Sequence, residues 1–119
     1  MSRSVLVVDD DVAFRRLARA VLTSWGHLVV GEAGTAGDAL VLATDLHPDT
    51  VLADIGLPDG DGFTLAADLR GLTRPPRVIL ISSDCDLANG TAADRVGAHG
   101  FVPKYDLPGG LLRRLIEDD

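Results

Sequence analysis

Short apolar runs alternate with stretches of helical period along the chain. The run 5–8 contains only valine and leucine, which favours a strand buried on both faces. The next segment places apolar side chains three and four residues apart, which predicts an amphipathic helix. Asp11 is positioned to cap this helix and Gly26 to end it. The apolar stripe of the helix consists of Phe14, Leu17, Ala18, Val21, Leu22 and Trp25.

The same alternation recurs four more times. Its repetition predicts five βα units and therefore an α/β fold with a five-stranded parallel sheet. Right-handed crossovers favour the doubly wound strand order 2-1-3-4-5, with helices on both faces. The helix at 86–96 is the weakest, because it contains Asn89-Gly90 and glycine costs about 1 kcal/mol relative to alanine within a helix. Further strands are predicted at 28–30, 50–53, 78–81 and 101–102, and further helices at 36–43, 63–69, 86–96 and 111–116.

Composition restricts the class of protein. The chain has 119 residues, 46% of them apolar, which predicts a single domain covering residues 1–119. A net charge of −7 disfavours direct binding to nucleic acid or to anionic membranes. The apolar run before Asp9 is too short for a signal peptide or a membrane span. Cys85 is the only cysteine, which excludes an internal disulfide and fits a cytoplasmic location.

Polar side chains follow four of the predicted strands. Asp9 and Asp10 end the first strand, Asp54 the third and Ser82 the fourth, and Lys104 follows the fifth. Ligands of such sheets bind beyond the carboxyl ends of the strands, where the strand order reverses. We therefore expect these side chains to meet at one edge of the sheet.

This set of groups suits phosphoryl transfer. Three clustered carboxylates repel one another, and a hard divalent cation such as Mg²⁺ relieves that repulsion. Lys104 and Ser82 can neutralise or hydrogen-bond phosphoryl oxygens while a carboxylate acts as the nucleophile. The remaining candidates have structural explanations: Asp11 is assigned to a helix cap, Asp59 and Asp61 to a turn, and His27, His47 and His99 to structural roles.

Four motifs, in this order and spacing, resemble the response regulator receiver family of two-component signalling, the CheY-like superfamily. The resemblance covers essentially the whole chain and implies the flavodoxin-like version of the doubly wound fold. The motifs are the acidic segment Val7-Val8-Asp9-Asp10-Asp11, the loop 54–62, Ser82, and the lysine motif Gly100-Phe101-Val102-Pro103-Lys104.

The resemblance implies roles by position. Asp54 would accept a phosphoryl group from a histidine kinase or phosphotransfer protein. Asp10 would bind Mg²⁺ directly, Asp9 would bind it through water, and the Gly56 carbonyl would complete the protein ligands.

The resemblance also implies a switch. Ser82 and Lys104 would contact the phosphoryl oxygens, and Phe101 occupies the position of the family's switch aromatic. Phosphorylation would then remodel the face formed by the fourth helix, fifth strand and fifth helix, which a downstream protein or output domain would recognise. The lysine motif is most similar to receivers joined to helix-turn-helix output domains.

One residue departs from the family pattern, and two others lie at positions that affect the rate of dephosphorylation. Tyr105 stands where the family often has a proline after a cis peptide, so the resemblance does not fix the loop geometry after the fifth strand. Gly56 and Asp84 lie at the positions that tune dephosphorylation. We hypothesise that Gly56 leaves water access open while Asp84 orients the water.

Three alternatives remain. One is an Mg²⁺-dependent phosphatase of the haloacid dehalogenase type, with Asp9 as nucleophile in an Asp9-x-Asp11 motif, although Ala13 departs from that pattern. Another is an atypical receiver that serves only as a protein-docking module. A flavodoxin-like flavin binder is disfavoured, because the acidic loop would repel the flavin phosphate.

Overall fold

A computed structural model describes residues 2–83, 98–107 and 109–117 of the chain. Its main sheet is parallel throughout, in the order β2-β1-β3-β6-β7, which confirms the predicted order 2-1-3-4-5. The last two strands of the main sheet are numbered β6 and β7 because two short strands, β4 and β5, lie outside that sheet. The five main strands are β1 Ser4–Val8, β2 Leu28–Ala33, β3 Thr50–Asp54, β6 Arg77–Ser82 and β7 Gly100–Pro103.

The two short strands form a hairpin directly after β3. They are β4 (Gly56–Leu57) and β5 (Gly60–Asp61), and they pair antiparallel. Leu57 is buried and anchors the hairpin to the core. The sequence predicts a turn here but not the strand pairing, which a two-residue run is too short to reveal.

Helices cover both faces of the sheet. Within the described residues they are α1 (Val12–Ser24), α2 (Ala36–Leu46), α3 (Gly62–Arg70) and a last helix, Gly110–Glu117. None of these helices is long and apolar enough to cross a membrane. Each of the first three begins at a side chain that accepts backbone amide hydrogen bonds, in order Asp11, Thr35 and Asp61.

Adjacent strand residues face opposite cores, as the pleat of a sheet requires. Leu6 and Val8 lie in one cluster with residues of α2 and α3, whereas Val5 and Val7 lie in the other with α1 and the last helix. Residues 51–53 of β3 are fully buried. The central strand is therefore covered on both faces, as the unbroken apolar runs predict.

One apolar position differs from the sequence prediction. Leu17 was placed on the core stripe of α1, yet 49% of it is exposed, because it lies at the edge of the stripe farthest from Leu22. Leu28 begins the edge strand β2 and is 61% exposed. The predicted helix 86–96, together with Asp84 and Cys85, lies outside the described residues.

Candidate functional site

The sheet register brings the acidic ends of β1 and β3 together. Val8 pairs with Ala53, so the next residues, Asp9 and Asp54, lie side by side beyond the paired strands. Asp9 is fully buried and Asp54 is 8% exposed, whereas Asp10 is exposed. Two carboxylates that would normally be solvated are thus held inside the carboxyl edge of the sheet.

The next two strands add a hydroxyl and an amine to the same edge. Asp54 pairs with Ile81, directly before Ser82. Ser82 in turn pairs with Pro103, directly before Lys104. Chain topology therefore gathers the predicted set at one place, although its members are far apart in sequence.

The three aspartates form a possible metal site. One carboxylate oxygen from each of Asp9, Asp10 and Asp54 lies within 4.8 Å of the others. The donors are hard oxygen ligands, and the exposed Asp10 leaves room for retained water, which is what Mg²⁺ prefers. The residues present therefore fit a magnesium ion.

Lys104 is shared between two of these carboxylates. Its Nζ lies 2.6 Å from Asp9 Oδ2 and 3.3 Å from Asp54 Oδ2. The other Asp54 oxygen, Oδ1, accepts a hydrogen bond of 3.4 Å from the Gly56 amide. The side chain of Asp54 is thus oriented from both sides.

Charge and burial set the protonation of Asp9 and Lys104. Burial raises the pKa of Asp9, and the neighbouring charge of Asp54 adds to this, against the hydrogen bonds from Lys104 and the Asp11 amide. Burial also acts to lower the pKa of Lys104, but the hydrogen bonds and charges of Asp9 and Asp54 outweigh it, so that pKa is raised. Lys104 is therefore a cation at neutral pH and offsets part of the acidic charge.

Ser82 and Phe101 occupy the positions that the sequence assigns to a switch. Ser82 is buried at the end of β6. Phe101 is half-buried on β7, pairs with Leu80, and packs against the core cluster that contains α2 and α3. Their roles remain predictions.

The loop after Lys104 differs from the family's cis arrangement. The described residues contain no cis peptide bond. Residues 104–106 form a turn of 3₁₀ helix, and Tyr105 is 73% exposed. The structure thus gives a trans backbone at Tyr105, a geometry that the sequence left open.

The other acidic residues serve helix ends. Asp11 accepts hydrogen bonds from the amides of Ala13 and Phe14, as its assignment to a cap requires. Asp61 was assigned to the turn, but its side chain caps α3 through the Thr64 amide. These contacts satisfy amides that a helix leaves without intrahelical partners.

Asp59 was also assigned to the turn, but it reaches across to α2. Its two carboxylate oxygens accept hydrogen bonds from the amides of Ala36, at 2.7 Å, and Gly37, at 3.0 Å. These bonds, that to Ala36 foremost, lower the pKa of Asp59. The loop that follows Asp54 is thereby fastened to a second helix.

The buried histidine links distant parts of the chain. Nδ1 of His27 accepts a hydrogen bond from the Arg3 amide, so the proton lies on Nε2, which donates to Glu117 at 2.8 Å. In a similar way, Nδ1 of His99 accepts from the Val78 amide at 3.1 Å. These contacts support the structural interpretation of both side chains.

Two residues near the pocket were missed by sequence reasoning. Phe14 was assigned to packing only, yet the Lys104 amine lies 4.6 Å from its ring centroid, which places a cation over an aromatic face. Arg15 donates from Nη1 to the Asp9 carbonyl. The only sequence signal for either is its position in the first turn after the acidic motif.

The fold and the acidic pocket together define the class, a signalling domain of two-component systems. The chain belongs to the response regulator receiver domain family, whose model matches residues 5–115. The flavodoxin-like fold and the signalling class predicted from sequence are thereby confirmed.

Individual relatives agree with this. The chain is 38% identical over 112 residues to the KDP operon transcriptional regulatory protein KdpE of Escherichia coli, covering 94% of this chain and 49% of that protein. It is 28% identical over 115 residues to the chemotaxis protein CheY of Thermotoga maritima, covering 97% of this chain and 96% of that protein. The receiver domain of NarL from Mycobacterium tuberculosis superimposes with a TM-score of 0.84 at 33% identity, covering 98% of each chain. The chain thus spans about half the length of KdpE and nearly all of CheY.

Proposed function

We propose that Asp54 is the phosphoryl acceptor of this receiver domain. The reaction requires Mg²⁺, the donor is a phosphohistidine of a histidine kinase or phosphotransfer protein, and the setting is the cytoplasm. The observation that carries this proposal is the position of the Asp54 carboxylate, which lies within the acidic cluster with Oδ2 3.3 Å from the Lys104 amine.

The metal would be held by this chain's own oxygen atoms. Asp10 and Asp54 would supply carboxylates, Asp9 would bind through water, and the Gly56 carbonyl would complete the protein ligands. When bound, Mg²⁺ supplies positive charge that offsets the negative charge of the phosphoryl oxygens.

The chemical step is a displacement at phosphorus. An oxygen of Asp54 attacks, and the new O–P bond forms as the bond from phosphorus to the donor imidazole nitrogen breaks, its electron pair leaving with the imidazole. Lys104 needs little movement to contact a phosphoryl oxygen, because its amine already lies beside Asp54. Ser82 donates a hydrogen bond to another phosphoryl oxygen.

The phosphorylated state is transmitted by a shift between existing conformations. Ser82 moves toward the phosphoryl group, and Phe101, which is half-buried, turns inward behind it. The surface around β7 changes as a result. A downstream protein, or an output domain of a longer regulator such as those represented among the relatives, recognises that change.

The phosphatase alternative is disfavoured by Asp11. That reaction needs both carboxylates of the Asp9-x-Asp11 motif at the reacting centre. Here the Asp11 carboxylate caps α1, where Oδ1 accepts the Ala13 amide at 2.9 Å. A role in protein docking alone would not require Lys104 to contact both Asp9 and Asp54.

Phosphorylation by acetyl phosphate with Mg²⁺ tests the proposal. Intact-protein mass spectrometry should show one added phosphoryl group on the wild type and none on Asp54→Ala. Asp45→Ala is the matched control, because Asp45 is an exposed aspartate in α2. A wild type that gains no phosphoryl group, or an Asp54→Ala variant that gains one as readily, would contradict the proposal.

A further inference from the structure

Arg15 connects α1 to the backbone of the acidic pocket. Only 18% of its side chain is exposed. Nη1 donates a hydrogen bond of 2.5 Å to the Asp9 carbonyl, and Nε pairs with Glu32 Oε1 at 3.1 Å. The planar guanidinium therefore contacts two fixed groups at once, which a flexible amine reproduces poorly.

The Asp9 carbonyl belongs to the peptide that joins Asp9 to Asp10. On the other side of Asp9, the backbone amide donates to the Ala33 carbonyl at 2.9 Å. The side chain is fixed too, because Oδ1 accepts the Asp11 amide at 2.9 Å. With Arg15 on the carbonyl, Asp9 is held at its backbone amide, its side chain and its carbonyl, and the carbonyl contact fixes the peptide that joins it to Asp10.

Glu32 on β2 orients the guanidinium. Its carboxylate also binds Arg19, with Oε2 2.8 Å from that side chain. The hydrogen bond from Arg19, the two positive charges and the bond from Arg15 together lower the pKa of Glu32, so it stays ionised at neutral pH. The two arginines thus share one anchor, but the contact to the Asp9 carbonyl is made by Arg15.

Gly34 lies beside this contact. A Cβ atom at that position would lie 3.5 Å from Arg15 Nη1 and 4.0 Å from the Asp10 Cα. The guanidinium, which donates to the Asp9 carbonyl, and the Asp10 backbone therefore both lie beside Gly34.

We propose that Arg15, oriented by Glu32, is a positioning residue that sets the affinity of the acidic pocket for Mg²⁺ through the Asp9–Asp10 peptide. The inference rests on the proposed function, in which that pocket holds Mg²⁺. Loss of the Arg15 charge and loss of its positioning contact predict opposite changes in Mg²⁺ affinity. Removing a cation near three carboxylates would strengthen Mg²⁺ binding, whereas releasing the Asp9–Asp10 peptide weakens it.

Isothermal titration calorimetry with MgCl₂ alone, without any phosphodonor, distinguishes these effects. Arg15→Met keeps the apolar part of the side chain, and we expect it to weaken Mg²⁺ binding about tenfold, the size typical when a group that orients a metal ligand is lost. Arg15→Lys keeps the charge and should also weaken binding. Arg19→Met is the matched control, since it breaks a contact to the same Glu32, and its affinity should stay close to that of the wild type.

Two further readouts separate positioning from damage to the fold. Thermal unfolding followed by circular dichroism should show that every variant is folded at the assay temperature. The Mg²⁺ concentration needed for half-maximal phosphorylation by acetyl phosphate should rise in Arg15→Met, while the rate at saturating Mg²⁺ returns close to that of the wild type.

The outcomes distinguish this inference from the function on which it rests. A wild type that binds Mg²⁺ and gains a phosphoryl group on Asp54, beside an Arg15→Met variant that binds Mg²⁺ as tightly, would overturn the inference and leave the proposed function standing. A wild type that binds no Mg²⁺ would overturn both.

Discussion

Asp9 and Lys104 form an ion pair of 2.6 Å inside the carboxyl edge of the sheet, and the Asp9 side chain is fully buried. The same amine lies 3.3 Å from Asp54. Lys104 therefore has two carboxylate partners before any phosphoryl group arrives. Phosphorylation of Asp54 would shift the balance between these partners without requiring a new residue to enter the pocket.

Replacing Lys104 with methionine should separate metal binding from phosphoryl transfer. Mg²⁺ should bind more tightly, because a competing cation has left the carboxylates. Phosphorylation by acetyl phosphate should slow about a hundredfold, the size typical when a donor to a developing charge is lost. Calorimetry and mass spectrometry measure the two effects, with the exposed Arg16→Met as control. Unchanged phosphorylation kinetics would show that Lys104 takes no part in the transfer.

The contact between Lys104 and Phe14 should be measurable as a coupling energy. Phe14→Leu keeps an apolar side chain in the core but removes the aromatic face beneath the amine. In a double-mutant cycle with Lys104→Met, urea unfolding should give a coupling of about 0.5–1 kcal/mol. Additive effects of the two substitutions would show that the amine gains nothing from the ring.

Gly62 should tolerate no side chain. A Cβ atom there would lie 2.6 Å from the Asp54 carbonyl oxygen and 2.9 Å from the Ile55 Cα. Both neighbours are backbone atoms of the segment that contains Asp54, so we expect Gly62→Ala to lower the free energy of unfolding by about 2 kcal/mol.

Gly60→Ala provides the control for that substitution, because its nearest neighbour would be the Ala36 Cβ at an ordinary 4.0 Å. Chemical denaturation of both variants measures the difference. Equal stabilities would indicate that the segment after Asp54 can move away at little cost.

His99 should make stability fall as the pH is lowered. Burial, and then the charge of Arg77, hold its folded-state pKa below the usual 6.5. As the pH falls through about 6.5, the unfolded chain therefore takes up the proton first, and the free energy of unfolding decreases. Solvent screening keeps this decrease below about 1 kcal/mol.

His99→Asn keeps a hydrogen-bond acceptor where Nδ1 receives the Val78 amide, but it cannot titrate. Its free energy of unfolding should change less than that of the wild type between about pH 7.5 and about pH 5.5. Urea unfolding at a series of pH values provides the comparison, and other titrating groups cancel in the difference. Parallel curves for the two proteins would exclude the assigned role.

The sequence predicts correctly those features that depend on the hydrophobic period, the strand order or local hydrogen bonding. Unbroken apolar runs predict strands buried on both faces, and the strand order then brings Asp54 and Lys104 to one edge, although they are distant in sequence. The cap at Asp11 follows from local hydrogen bonding alone. These inferences need the period and the topology but no side-chain distances.

Several contacts that sequence reasoning missed depend on tertiary packing, whereas the cap that Asp61 forms on α3 is local. Asp59 looks like a turn residue, yet it caps α2, because the hairpin after Asp54 packs beside the start of that helix. Phe14 belongs to the core, as its apolar character predicts, but its ring also contacts the Lys104 amine. Arg15 and Glu32 lie on different elements, so their pairing is not visible in either local pattern.

Reductive trapping of the acyl phosphate identifies which aspartate accepts the phosphoryl group. Wild-type protein is phosphorylated with acetyl phosphate and Mg²⁺, treated with borohydride, which converts a phosphorylated aspartate to homoserine, and digested for peptide mass spectrometry. We expect conversion at Asp54. Conversion at Asp9, or at no aspartate despite uptake of a phosphoryl group, would contradict it.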